Sequence, residues 1–324
     1  PAAEDHTPEG RSPYSARLLT LFEQIHPGQS HHGVHRGQLA YRYPLKPMSV
    51  EALFPVLAEG YESRDNATGK AEYRALWDEF EPMLERIPAR HRENLALWLD
   101  HFDSAWACFT HAIPSATAFN VRPEVSLYDH SRATAALATA LWRYHHDRGD
   151  DTGAVRGRLA ARERPDWDEE KLLLVQGDFF GIQDFLFATG SETQKRAARL
   201  LRGRSFYVAL LTECAALRIL DALALPPTSQ VINAAGRFLI VAPNTAETRS
   251  RLEALQAEFD SWFLEHSFGQ AGIGLAWLPA SCNDFLKGGE AGQSRFKQLM
   301  DRLFAALNDA KARRLNLCGQ TAPA

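Results

Sequence analysis

Residues 230–243 read QVINAAGRFLIVAP. Two short apolar runs flank the small residues of NAAGRF (233–238), the pattern of a strand, a tight turn and a second strand. The tip carries Gly236 and Arg237. The neighbouring segments decide what sheet this hairpin enters. Upstream, KLLLVQGD (171–178) is a compact apolar run that reads as a buried strand, and a long helix is expected over about 193–224. Downstream, a helix is expected over about 246–266, a fourth strand at AGIGLAWL (271–278) and a closing helix over about 293–314. The order is β-α-β-β-α-β, the ferredoxin-like split.

The first 150 residues follow another grammar. YSARLLTLFEQI (14–25) places Leu18, Leu19, Phe22 and Ile25 at helical spacing. YRYPLKPMSVEALFPVLAEG (41–60) reads as an extended, Pro-bounded segment and then a short helix with Ser49 as N-cap. EYRALWDEFEPMLERI (72–87) and ENLALWLDHFDSAWACFTHAI (93–113) repeat apolar residues every 3.6 positions, punctuated by Pro88 and Pro114. SLYDHSRATAALATALWRYHH (126–146) is a further helix, with alanines on one side that let a neighbour approach closely. Residues 1–150 therefore read as an all-α domain, 151–170 as a charged, solvated linker, and 171–315 as the ferredoxin-like domain. Residues 316–324 read as the start of a further module, and both ends read as cut. The fold class is α+β.

Composition narrows the function. The 324 residues are 45% hydrophobic and 23% charged, with a net charge of −4, so any nucleic-acid surface must be local. Cys108, Cys214, Cys282 and Cys318 are far apart and form no C-x-x-C pair, which points to reduced thiols and a cytoplasmic protein. No run of about 18 apolar residues exists, so no membrane span or membrane partner is expected.

Several residues could carry chemistry. Nucleotide-polymerising palm domains place metal-binding carboxylates at the end of the first strand and at the tip of the following hairpin, two places adjacent in such a sheet. Asp178 ends the first strand, but the tip offers no carboxylate, and one carboxylate makes a poor Mg²⁺ site. The alternative reading of Asp178 is a turn or helix-capping residue. GDFFGIQDF (177–185) puts glycines after a buried strand, where backbone N–H groups can face a phosphate, or where a tight turn is simply needed. KRAARLLRGRSFYVALL (195–211) gathers Lys195, Arg196, Arg199, Arg202 and Arg204 without an acid, a set of phosphate contacts or a solvated helix face. Gly203 would let Ser205 approach a bound group. Lys311, Arg313 and Arg314 read as a helix C-terminus complementing its dipole. The histidines at 26, 31, 32 and 35 read as a polar loop. Asp129–His130 resembles the pair that names HD hydrolases, but His145 and His146 lie about four turns away, so capping and packing are expected.

VSLYDHSRATAALATALWRY (125–144), VQGDFFGIQDF (175–185), RAARLLRGRSFYVALLTE (196–213) and INAAGRFLIVAPN (232–244) together resemble the large polymerase–cyclase subunit of type III-A CRISPR effector complexes. YRYPLKPMSVEALFPV (41–56) and EYRALWDEF (72–80) with IPSAT (113–117) fit the same family upstream of its first palm. The resemblance runs over nearly the whole chain in the expected order.

It implies a helical region and a first palm without the HD metal constellation or the Gly-Gly-Asp-Asp hairpin of the second palm. It also implies that the parent protein converts ATP into cyclic oligoadenylates with Mg²⁺ when target RNA binds, and that an HD domain, where present, cuts single-stranded DNA. The first palm is then the non-catalytic wall of a shared ATP pocket, with no catalytic or metal residue of its own. Asp178, Gly181, Ile182, Gln183, Arg202, Arg204, Ser205, Gly236 and Arg237 would face nucleotide, and Lys195, Arg196 and Arg199 would contact RNA or phosphate. Implied partners are CRISPR RNA, target RNA and the other effector subunits. The competing expectation is an inert palm that only scaffolds assembly.

Overall fold

The computed structural model describes residues 13–24, 40–58, 66–116, 123–150, 152–187, 197–234, 236–286 and 294–313. The chain divides into two compact units, Pro1–Arg132 and Ala133–Ala324.

In the first unit, β1 (Tyr41–Arg42) pairs antiparallel with β2 (Val56–Leu57). Helices α1 (Asn66–Glu85), α2 (Ala89–Arg92) and α3 (Leu95–Thr110) follow, and α4 (Leu127–Asp147) begins. Their apolar stripes meet in a core of Leu45, Leu76, Phe80, Ala105 and Phe109. The Phe80 ring stands edge-on to Trp106 and Phe109, with centroids 5.8 and 5.6 Å away. Asn94 starts α3 by accepting hydrogen bonds from the N–H groups of Ala96 and Leu97. The β1–β2 ribbon corrects the all-α expectation, and no helix follows Ser49. Its hydroxyl oxygen accepts from the Ala52 N–H at 3.2 Å in a turn, and Pro55 denies that turn a helical continuation. Ser126 caps α4: its hydroxyl oxygen accepts from the Asp129 N–H at 3.0 Å, and its O–H donates to Asp129 Oδ2 at 2.7 Å, so Asp129 supports the cap rather than making it. The histidine loop lies outside the described residues.

The division falls within α4, because Ala136 and Ala140 are fully buried in the core of the second unit. Residues 151–170 are not a solvated linker throughout. They contain α5 (Thr152–Ala160), whose Val155 is buried, and Asp166 forms an ion pair with the fully buried Lys171. The Trp167 carbonyl accepts from the Asn283 N–H, tying the segment to the residues that follow β6, beside the start of β3. Charge composition alone conceals these partners.

The sheet domain runs β3 (Leu172–Phe180), α6 (Ile182–Phe187), α7 (Ala197–Ala222), β4 (Gln230–Ala234), β5 (Arg237–Pro243), α8 (Ala246–Ser267), β6 (Gly272–Ala280) and α9 (Arg295–Ala312). The four strands lie in the order β4-β5-β3-β6, all neighbours antiparallel, as the split βαβ arrangement requires. β3 is central and buried along its whole length. Its alternate residues serve two cores. Leu173, Val175 and Phe179 pack with α7 and α8 through Ile219, Leu220, Leu252 and Phe259. Leu172 and Leu174 pack with α4 and α9 through Ala136, Ala140, Leu299, Leu303 and Leu307. By the same alternation Asp178 belongs to the α9 side.

Candidate nucleotide-facing end of the sheet

The hairpin tip lies beside Asp178, which does not end the strand as expected but sits two residues before β3 closes at Phe180: Asp178 and Arg237 are directly opposite in register, and Asp178 faces Gly274 of β6 on its other side. Gly236 adopts φ +81°, the left-handed region that glycine enters without strain. Its carbonyl accepts from the Phe179 N–H at 2.8 Å, and a Cβ there would approach Ile182 Cδ1 to 3.1 Å. Gly181 (φ +74°) makes the turn into α6, where a Cβ would lie 2.1 Å from the Gln270 carbonyl oxygen. Gly177 carries the Phe238 ring, whose Cζ would be 2.1 Å from an added Cβ. These close approaches explain why glycines punctuate GDFFG.

Asp178 is buried, with 7% of its side chain exposed. Its Oδ2 accepts a charged hydrogen bond from Arg237 Nη2 at 3.1 Å and forms an ion pair with Lys311 from the end of α9. The Arg237 guanidinium also lies over the Phe304 ring, 5.5 Å from its centroid. Lys311 is the participant that sequence reading assigned to the helix dipole. The signal for it was present: Leu299, Leu303, Leu307 and Lys311 repeat every four residues, so Lys311 continues the buried stripe of α9.

The α7 cations belong to the opposite face of the sheet. Arg204 Nη1 donates to the Leu186 carbonyl of α6 at 2.9 Å. Arg199, Arg204, Phe185 and Tyr207 line a depression of about 510 Å³, and the rings of Phe185 and Tyr207 stack at 5.9 Å. Arg202, Ser205 and Gln183 are exposed, and a Cβ on Gly203 would meet nothing within 4 Å, so no close approach there requires glycine. Lys195, Arg196 and Arg314 lie outside the described residues. The structure thus brings together Asp178 with Arg237, Gly236 with Ile182, and Arg204 with α6. It separates Asp178 and Arg237 from the arginines of α7 by the thickness of the sheet.

Among the described residues no group of three or more His, Cys, Asp or Glu side chains could hold a metal ion, and no helix is long and apolar enough to cross a membrane. Asp178 does not fit Mg²⁺, which is held by one or two carboxylates that are free to bind it. Its Oδ2 is already engaged by two cations.

Residues 171–322 match the family model described as Csm1 subunit domain B. Residues 171–322 thus carry a Csm1 domain, and the chain is similar over most of its length to Cas10/Csm1 proteins. A relative from Thermococcus onnurineus is named a CRISPR system single-strand-specific deoxyribonuclease Cas10/Csm1 of subtype III-A. It is 33% identical over 190 residues, which are 59% of this chain and 22% of that protein. A relative of the same name from Methanocaldococcus jannaschii is 27% identical over 290 residues, covering 84% of this chain and 33% of its own. Among solved structures, Csm1 of T. onnurineus superposes with a TM-score of 0.66 at 26% identity, over 93% of this chain and 36% of that one. A Csm1–Csm4 cassette in complex with one ATP gives 0.62 at 25% identity, over 86% of this chain and 34% of that one. The chain therefore spans about a quarter to a third of the length of the Cas10/Csm1 relatives it matches.

Proposed function

We propose that residues 171–313 form the first palm of a type III-A CRISPR large subunit and supply the metal-free wall of its ATP pocket. The observation that carries this reading is the Asp178 cluster. The aspartate near the strand end, where a catalytic palm holds metal, is occupied internally by Arg237 and Lys311. Such a half cannot run two-metal phosphoryl transfer by itself. It can hold and orient a nucleotide whose chemistry is completed by carboxylates outside this chain.

Arg237 retains an exposed outer face, with 42% of its side chain accessible, and is tethered from behind by Asp178. A guanidinium fixed in this way can meet a phosphate with little loss of conformational freedom. On the opposite face of the sheet Arg199, Arg202 and Arg204 form a second, separate set of phosphate contacts, beside the ring faces that Phe185 and Tyr207 offer to a base. ATP supplies the adenylate and its phosphate leaving group when bound; this chain's residues bind and orient it. In this reading the parent protein makes cyclic oligoadenylates in response to target RNA, within a complex that contains guide RNA and a Csm4-type subunit. The similar Csm1–Csm4 cassettes solved in complex with ATP, AMPPNP, cA3 and cA4 support the ligand class.

The test uses the large subunit carrying this chain, assembled with its guide RNA and companion subunits. Photolabelling with 8-azido-ATP and product formation from ATP with target RNA are both measured. Arg237→Gln and Arg199→Ala are each expected to weaken labelling about tenfold, equivalent to about 1.4 kcal/mol. Unchanged labelling and product in both variants would leave the palm as an inert scaffold and end the proposal.

A further inference from the structure

A second feature of the sheet domain is independent of the nucleotide reading. β6 is an edge strand, and its outer edge forms the floor of a groove of about 700 Å³. α8 walls one side with Glu253, Gln256 and Asp260, and α9 walls the other with Ala306, Ala310 and Arg313. Unpaired edge strands are templates for further pairing unless something covers them.

Gln256 shows how this edge pairs. Its Oε1 accepts from the Leu275 N–H at 2.7 Å, and its Nε2 donates to the Ile273 carbonyl at 3.0 Å. A primary amide here makes the two bonds that a peptide group of an added strand would make. Residues 273 and 275 therefore turn their backbone groups away from β3. By the two-residue period, Trp277 and Pro279 do the same, and Pro279 has no N–H to offer. Beyond Gln256, the Leu275 carbonyl and both backbone groups of Trp277 face the groove.

The walls differ in chemistry. Among the described residues neither Glu253 nor Asp260 is ion-paired, and the Asp260 carboxylate has only the Gln256 amide, at 2.9 Å. Burial pushes the Asp260 carboxyl above the usual range, the mark of a desolvated acid without a cation. The facing wall presents the methyl groups of Ala306 and Ala310, with the Arg313 cation only at its end, just past α9. A strand laid along β6 would point alternate side chains at these two walls.

We propose that the outer edge of β6 docks an extended polypeptide segment of another protein by strand addition, its basic side chains set against Glu253 and Asp260 and the alternating apolar ones against Ala306 and Ala310. Main-chain bonds to Leu275 and Trp277 provide affinity, and the two walls provide the pattern.

The test is hydrogen exchange of this chain with synthetic decapeptides alternating Lys with Val, Glu with Val, or a scrambled Lys/Val order, and separately with ATP. With the Lys/Val peptide, exchange of the Trp277 amide is expected to slow at least tenfold, while amides of β5 are unchanged. The Glu253→Gln/Asp260→Asn double variant should weaken that peptide's binding at least tenfold; unchanged β5 exchange verifies its fold. No protection of Trp277 by the Lys/Val peptide, or equal protection by the acidic or scrambled peptide, overturns the proposal. Protection by ATP alone would instead make the groove a nucleotide site. A defect in ATP photolabelling with normal peptide binding, or the reverse, separates this proposal from the nucleotide reading.

Discussion

Replacing Lys311 by Met removes one charge from the Asp178 cluster while keeping a stem of similar length. Its effect can be bounded from exposure. Stripping a buried charge of its partner costs about 3–5 kcal/mol, whereas exposed pairs contribute about 0–1 kcal/mol. Asp178 is 7% exposed, Lys311 27% and Arg237 42%. In the Lys311→Met variant the aspartate keeps Arg237 at 3.1 Å, so the loss falls between the limits, at about 1–2 kcal/mol. Arg237→Gln, which removes the more exposed partner, should cost about 0.5–1 kcal/mol. The double variant leaves a buried carboxylate with neither cation and should reach about 3–5 kcal/mol. The excess over the sum of the singles is then about 1–2 kcal/mol, a coupling expected of groups sharing one partner. Because the chain has two compact units, one denaturation curve is ambiguous. Native-state hydrogen exchange at β3 amides such as Leu174 and Gln176 reads the sheet domain alone. A Lys311→Met loss below about 0.5 kcal/mol together with an additive double variant would refute the claim that Lys311 and Arg237 share Asp178.

Other perturbations test the same frame. Gly177→Ala drives a methyl into the fully buried Phe238 ring and should cost about 1–3 kcal/mol by denaturant titration, partly restored by Phe238→Leu. Asp260 has a raised folded-state pKa, so its ionisation opposes folding once pH exceeds the unfolded value near 3.9. Asp260→Asn should therefore match or exceed wild-type stability at pH 7, an advantage that disappears on acidification below about pH 4 in thermal melts. Asp166 behaves oppositely. Burial disfavours its charge, but the Lys171 ammonium more than offsets this and holds the carboxyl below its usual range. Its stabilisation is present above the unfolded pKa near 3.9 and is lost as pH falls through the folded value. Asp166→Asn should remove that part of the acid dependence, read from midpoints between pH 5 and 2.

Much of the sheet domain was legible because its cues are local and repeated. KLLLVQGD, the small-residue turn and AGIGLAWL each announce a strand, and helical spacing between them fixes the order. The opposition of Asp178 and Arg237 follows from that order. What escaped depended on partners distant in sequence. α5 lies in a charged stretch whose anchors, Lys171 and Asn283, declare themselves only after folding. β1 and β2 are two residues each, too short to show alternation. The role of Gln256 carries no sequence signature, because a glutamine on an amphipathic helix is ordinary until an unpaired strand edge is placed beside it. Lys311 was readable in principle from its four-residue spacing behind Leu307, but a terminal lysine also satisfies the dipole rule, and the simpler reading hid the stripe.

The alternation of β3 is what divides the chemistry of this end of the domain. Gly177 and Asp178 are consecutive, so they must address opposite faces. One face demands the absence of a side chain, because Phe238 fills that space. The other receives a carboxylate that α9 then neutralises. An uncompensated carboxylate could not stay buried, and replacing a compensated ion cluster by apolar groups would often be neutral or stabilising. Stability alone is therefore a poor reason for keeping Asp178, Arg237 and Lys311 together. Orientation is a better one: Asp178 holds the inner side of Arg237, Phe304 supports its plane, and the exposed outer side points away from the aspartate. On the proposed reading, Asp178 aims the hairpin-tip arginine outward, so the same cluster that engages the buried carboxylate also presents a fixed guanidinium to phosphate.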